Sequence, residues 1–336
     1  MNARTLHRVL FASISSAVLL AAPAHAGLFR AYLSQNGNDA NPCTLQQPCR
    51  LLPAAIAAVN DGGEIWMVDS ANYNTAPVSI TKSVTILAIP GALGSIVASG
   101  GDAIDVATPN ARVTLRNLVV LNFSAGAHGI NFSNGARLTV EECEIYGLPQ
   151  NGITFTAPGG GLVVKNTTIH NIAGAGVFVA GTLASSVTAA LEHVSLLSVN
   201  TGFSVGSSAS VTLNDSVVTN TQVGVTATES GGAGSRVTIV NSVIRASTTG
   251  ISLTSPTASD TVRVTMSRST LSHNPLGMDV QSAAGDVKVT LDDNVIQNNT
   301  TAINMSGGVV FTRGNNTLNF TTNGIVGGSL TALAGI

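Results

Sequence analysis

His193 and Asp215 occupy equivalent positions in consecutive repeats of this chain, and Arg268 and Asp293 do the same further on. A histidine next to a carboxylate can serve as a general base once a substrate proton is in reach. The same column also holds Asn117, Glu142, Asn166, Asn241 and Asn315. A recurring polar position led by Asn reads as a tight turn, because Asn tolerates left-handed backbone and bonds to nearby backbone groups. The turn reading is preferred for this column and for a second one made by Asn122, Asn171, Asn220 and Asn298.

The remaining reactive side chains are few. Cys43 and Cys49 lie close together in NPCTLQQPC and are expected to close a small disulfide loop in an oxidising compartment. No second Cys or His pair follows at ligand spacing, so no zinc site is expected. Cys143 sits inside a repeat and reads as a small buried filler. The NGND stretch at 36–39 has residues that calcium can use, but turn formation is the preferred reading, and no cofactor is expected. The N-x-S/T sequons at Asn166 and Asn299 follow from a composition rich in Asn and Thr.

The elements that position these residues come from one repeat. Gly129, Gly152, Gly176, Gly202, Gly224, Gly250, Gly277, Ala302 and Gly324 each open a short apolar alternation, about 25 residues apart. A period of that size marks coils of a solenoid, each able to bury its apolar side only against its neighbours. Alternations such as Val113-Thr114-Leu115, Val237-Thr238-Ile239 and Val289-Thr290-Leu291 are strands with one face to a core. Three strands per coil are expected, joined by one tight turn and two looser ones. Leucine-rich repeats would need Leu-dominated strands and helical returns. Here the returns are Gly, Ser, Thr and Asn mixed with Val and Ile, which favour turns and strands. A left-handed hexapeptide helix would need a six-residue beat that is absent. Right-handedness follows from the general rule for parallel crossovers.

Stacked coils turn columns into ladders. Thr114, Thr139, Thr212, Thr238, Thr265, Thr290 and Thr312 are expected to form one outward row, with Arg116, Glu141, Lys165 and Glu192 alternating in sign beside it. Opposite charges across neighbouring strands contribute roughly 0.2 to 1 kcal/mol each, which suits scaffold.

Residues 1–26 read as a signal peptide: Arg4, His7 and Arg8 form a basic start, 9–22 is apolar, and Ala24-His25-Ala26 offers a cleavage site. The apolar run is short for a bilayer span, and no later stretch reaches membrane length. Without Arg4 and Arg8 there are 13 basic (15 − 2) against 17 acidic residues, a net charge of −4. That mild acidity argues against nucleic acid as the main partner. The expected protein is secreted or periplasmic, monomeric and without a membrane span.

On these repeats the chain resembles secreted bacterial right-handed parallel β-helix proteins of the pectate-lyase-like superfold, over nearly all of the mature chain. The leading stretch RAYLSQNGNDANPCTLQQPCRLLPAAIAAVNDGGEIWM is similar to the start of such domains. The resemblance implies an all-β, right-handed parallel β-helix of roughly 11–12 coils, occupying residues 63–336. Residues 27–62 would supply an N-terminal segment with a capping helix at 53–59, ended by Asp61-Gly62-Gly63, with GEIWMV beginning the coils. It also implies that any ligand lies on the outward face of the G-I-x-F strands: Asp105, Asn131, Thr154, Phe178, Ser204, Thr226, Ser252, Asp279 and Asn304. Among these, Asp105, Asn131, Phe178 and Asp279 are the candidate ligand-binding residues, and His128, Glu229, Asp260 and Asp286 are turn residues that could converge on the same face.

The lyase and polygalacturonase motifs of the superfold are missing. Asp105 and Asp279 stand seven coils apart, about 34 Å at the strand spacing. A glycosidase pair needs roughly 5 to 9.5 Å. The reading is therefore a noncatalytic exported scaffold that binds a polysaccharide, another cell-envelope component or a protein along its side wall, with a polysaccharide lyase or glycoside hydrolase as the alternative.

Overall fold

In the computed structural model, which describes residues 27–231 and 233–333, the chain winds into an all-β right-handed parallel β-helix of about 11 turns. The expected signal peptide lies outside the described residues. Period-two alternation sets the winding. In Asp286–Asp292, Val287, Val289 and Leu291 are buried, while Lys288 and Thr290 face outward. The first face is a 13-stranded ladder running from Leu28–Leu33 to Thr331–Ala332. The second runs from Ala71–Asn72 to Thr317–Asn319, and the third from Val78–Ser79 to Asn323–Val326. These two merge into one sheet because Thr168–Val179 and Ser195–Val205 pass unbroken through the corner between them.

One of the three turns is tight and two are looser, as expected. The turn from the first to the second face centres on the polar column. Asn117, Glu142, Asn166, His193, Asp215, Asn241, Arg268 and Asp293 all have φ between 47° and 55°. The turn from the second to the third face holds a second left-handed column, including Asn171, Ser198, Asn220, His273 and Asn298. Asn122 falls outside it. The left-handed residue of the first column reverses the chain in minimal length, whereas the second turn takes five residues after Ser124 and six after Tyr146 but three after Thr219. Variation also collects between the third face and the next first-face strand, which are separated by three residues after Val205 and five after Ser255.

The residue after each left-handed position of the first column is buried, and from Ser216 onward these residues form a polar ladder that the sequence reading did not identify. Ser216 Oγ accepts the Val194 N–H at 3.0 Å, Ser242 Oγ that of Ser216 at 3.2 Å, and Ser269 Oγ that of Ser242 at 3.0 Å. Asn294 and Asn316 continue it through their Oδ1 atoms. Asn274 and Asn299 make an equivalent pair at the second corner. Buried backbone donors at the corners are thus paired by side chains from the next coil. The sequon at Asn299 is consequently inside the molecule, 2 % exposed.

The glycine column has a steric cause. A Cβ at Gly224 would stand 2.4 Å from the carbonyl oxygen of Gly250 in the next coil. At Gly324, in the last coil, nothing lies within 4 Å.

At the N-terminal end the first rung comes earlier than expected. Leu28–Leu33 already pairs in parallel with Val59–Met67, and the helix, α1 (Leu52–Ala58), sits between them in sequence. Pro lies in its first turn, and the chain passes from Ala58 directly into the strand, with Asp61 and Gly62 inside it. Cys43 and Cys49 form the disulfide. Asp39 Oδ1 accepts the N–H groups of Arg50 and Leu51 at 2.8 Å each, so NGND is a structural turn. Asp69 accepts from Ser34 Oγ at 2.7 Å, the Gln35 N–H at 2.9 Å and the Tyr73 hydroxyl. Burial opposes ionisation of Asp69, but the Tyr73 and Ser34 hydrogen bonds outweigh it and hold its carboxyl below the usual range.

The threonine row is in register from Thr114 to Thr290 through Val163 and Ala190, but Phe311, not Thr312, follows Thr290. In the charged row Lys165 pairs with Glu192 at 3.0 Å, whereas Arg116 reaches the turn residue Glu142 at 3.1 Å and not Glu141.

Candidate functional site

The outward positions of the third face form one unbroken row. Asp105 pairs in register with Asn131, Asn131 with Thr154, Thr154 with Phe178, and so on through Asp279 to Asn304. The nine positions read from the sequence as the outward row of the G-I-x-F strands therefore lie on one wall. The two carboxylates stay seven steps apart, about 34 Å, and each is held by an amide from the next coil. Asn131 Nδ2 donates to Asp105 Oδ1 at 3.0 Å, and Asn304 Nδ2 to Asp279 Oδ1 at 2.9 Å. Gln281 Nε2 donates to Asp279 Oδ2 at 2.6 Å. Phe178 stands half-exposed between Thr154 and Ser204.

The chemistry concentrates at the N-terminal end of this wall. Asp102 Oδ1 accepts both the backbone N–H of His128 at 3.0 Å and its ring Nδ1–H at 2.9 Å. With Nδ1–H given to Asp102, Nε2 is the ring nitrogen left for a further hydrogen bond. Both side chains are about one-fifth exposed, at 18 % and 21 %. The residue equivalent to His128 in the next coil is Asn151, whose Nδ2 donates to Thr154 Oγ1 at 3.0 Å. Two adjoining coils thus display Asp102, Asp105, His128 and Asn131, and a third adds Asn151 and Thr154. Such a set can donate to and accept from the hydroxyls of a sugar chain.

Asp102 and Asn151 escaped the sequence reading although a signal existed. Asp102, His128 and Asn151 each stand two residues before the first aliphatic of consecutive third-face strands, the same column logic that singled out His193 and Asp215. That earlier couple does not form: Asp215 Oδ2 accepts from Asn214 Nδ2 at 2.6 Å, and Arg268 Nε donates to Asn241 Oδ1 at 2.9 Å. Nor do the other turn carboxylates converge on the wall. Glu229 is fully buried and organises its own turn, accepting from the Ser208 and Gly231 N–H groups and from Ser235 Oγ. Asp260 is buried in its turn and accepts the Thr257 N–H at 2.8 Å. Asp286 bridges Arg263 and Lys288 on the first face.

Cys143 is buried, and desolvation pushes its thiol up to about 12, so it stays protonated and unreactive. The single tryptophan, Trp66, lies on the first face with the Arg30 guanidinium 3.9 Å over its ring. Among the described residues no group of three His, Cys, Asp or Glu side chains is placed to hold a metal, and no helix is long and apolar enough to cross a membrane.

Residues 93–233 match a protein-family model described as a right handed beta helix region. Among solved structures the chain is similar to XylC in complex with xylose, at 9 % identity and a TM-score of 0.64, covering 84 % of this chain and 70 % of that one. It is similar to the pectate lyase Pel9A at 16 % identity and a TM-score of 0.56, covering 91 % and 78 %. The Dettilon tailspike protein follows at 11 % identity and a TM-score of 0.55, covering 80 % and 63 %. Likeness at these identities is likeness of fold: the chain has the right-handed parallel β-helix fold that these structures share. Its sequence matches no curated protein.

Proposed function

We propose that the protein is an exported, monomeric, noncatalytic β-helix scaffold that binds a polysaccharide along its third face. The observation that carries this reading is the continuous in-register row from Asp105 to Asn304, polar throughout except for Phe178. A rigid row stepping about 4.8 Å per coil meets an extended glycan with one side-chain row per sugar and with little entropy left to lose. Phe178 supplies an apolar face for a sugar ring. The fold neighbours, which include a structure holding xylose and a pectate lyase, support a carbohydrate ligand. The disulfide and the leading residues support export.

The dyad of Asp102 and His128 favours one second reading, a polysaccharide lyase or glycoside hydrolase with His128 as base. A polysaccharide panel run with and without calcium separates the two. The proposal expects retention of at least one polysaccharide, unaffected by chelation, with no new unsaturated or reducing ends. Asp105→Ala combined with Phe178→Ala should weaken that retention about tenfold, equivalent to ~1.4 kcal/mol. Release of new chain ends that His128→Ala abolishes would establish the enzymatic reading instead.

A further inference from the structure

One row of the first face breaks the charge rule that its neighbour obeys. Two residues before each position of the threonine row, Val163 and Ala190 included, stand Arg112, Arg137, Gly161, Thr188, Ser210, Arg236, Arg263 and Lys288, in a single line of register. The line carries five of the chain's 15 basic residues and no acidic one, in a protein whose formal net charge is −2. On the other side of the threonines, Arg116, Glu141, Lys165 and Glu192 alternate in sign, as scaffold should. Like charges directly opposite on neighbouring strands are destabilising, and here Arg112 faces Arg137, Arg236 faces Arg263, and Arg263 faces Lys288.

Only part of that repulsion is relieved within the chain. Asp286 reaches Arg263 Nη2 at 2.6 Å and Lys288 Nζ at 3.0 Å, and the Lys288 and Arg263 contacts hold its carboxyl below the usual range. Among the described residues no carboxylate stands within ion-pair distance of Arg112, Arg137 or Arg236, all of which are exposed. Seven steps separate Arg112 from Lys288, about 34 Å at the strand spacing. The cations stand in single file along the helix axis, not spread over a plane. Threonine hydroxyls run parallel to them at Thr114, Thr139, Thr212, Thr238, Thr265 and Thr290.

We infer that this edge is a binding surface for a linear polysaccharide that carries one carboxylate per sugar, laid along the helix axis with its carboxylates on the arginine row and its hydroxyls on the threonine row. The guanidinium fork matches a carboxylate in a bidentate pair. The coil step is close to the advance of one sugar ring, so the carboxylates that the polymer turns toward the wall can meet members of the row, Arg236, Arg263 and Lys288 or Arg112 and Arg137, without bending the polymer. A single file of cations beside neutral hydroxyls does not suit a lipid surface, which presents its charge in two dimensions. This surface is separate from the third face and does not depend on the reading given for it.

Affinity electrophoresis of the full chain in gels containing polygalacturonate, dextran sulfate, double-stranded DNA or neutral dextran tests the inference. Polygalacturonate should retard the protein most and neutral dextran not at all. Retardation should fall steeply between about 50 and 200 mM salt, as expected where ion release drives binding. Replacing Arg236, Arg263 and Lys288 together by Ser should weaken binding on the order of tenfold. Replacing Arg245, Arg268 and Arg313 by Ser gives the same net charge and should leave it unchanged. Equal loss in both triple variants, stronger retardation by dextran sulfate or DNA, or no retardation by polygalacturonate would each overturn the assignment. Thermal melting of the variants, expected to match the parent, separates lost binding from lost folding.

Discussion

The two ends of the solenoid solve the same problem to different degrees. At the N-terminal end α1 covers the first coil with Leu52, Ala55 and Ile56, a disulfide ties the segment before it, and Asp69 gathers Ser34, Gln35 and Tyr73 beneath it. Ile65 and Met67, one rung in, are wholly buried. In the last coil Leu318 and Ile325 are only partly buried, Val326 and Phe320 are 43 % and 72 % exposed, and no helix or disulfide covers them among the described residues. Because each coil is supported only by its neighbours, stability should decline from the first end toward the last. The richest polar cluster, Asp102 to Thr154, sits on the second to fourth strands of the third face, in the supported half.

That gradient can be broken first by a charge. Ile65→Asp should cost more than about 4 kcal/mol and abolish folding, whereas Ile325→Asp should stay within about 1 kcal/mol; urea melts of the two variants measure the contrast. Next in size is the disulfide. Its six-residue separation gives Cys43→Ser with Cys49→Ser an expected loss of about 2 kcal/mol by loop entropy. Calorimetry should show that loss at the N-terminal end only, and a uniform shift of the whole transition would contradict the gradient. Asn294→Ala, inside the corner ladder, leaves the Ser269 N–H unpaired and should cost about 1–3 kcal/mol. The smallest effect is acid sensitivity. With a carboxyl held below its ordinary value, the contribution of Asp69 is complete above about pH 3.9 and is lost as pH falls through the depressed value. Melting temperatures followed downward from pH 5 should therefore drop less in Asp69→Asn than in the parent. Apart from the gradient, the buried thiol of Cys143 should resist alkylation at pH 8 until the chain unfolds.

The winding was legible because strand alternation and the glycine column both follow from local sterics that repeat in every coil. The left-handed turn column was legible for the same reason, and its polar types explain themselves by backbone conformation without invoking catalysis. What escaped the sequence depends on direction. Serine and asparagine at the inward corner positions look like surface turn residues until the following coil is seen to pair with their backbone. Leu28–Leu33 was hidden because the disulfide loop and α1 interrupt the period before the repeat settles. Asp102 was missed because it lies in the turn from the second to the third face, whose length varies in the early coils so that columns cannot be aligned by counting. Thr312 was misplaced by one register step for the same reason, beyond the last loose turn.

The central claim is that the third face is the glycan surface. Hydrogen exchange resolved by residue, with and without the polysaccharide that the panel retains, tests it most directly. The account predicts slowed exchange in Ile104–Ala107, Ile130–Asn134, Ile153–Phe155 and the later strands stacked on them, with the second-face strands unchanged. Protection confined to the second face, or to the exposed last coil, would contradict it.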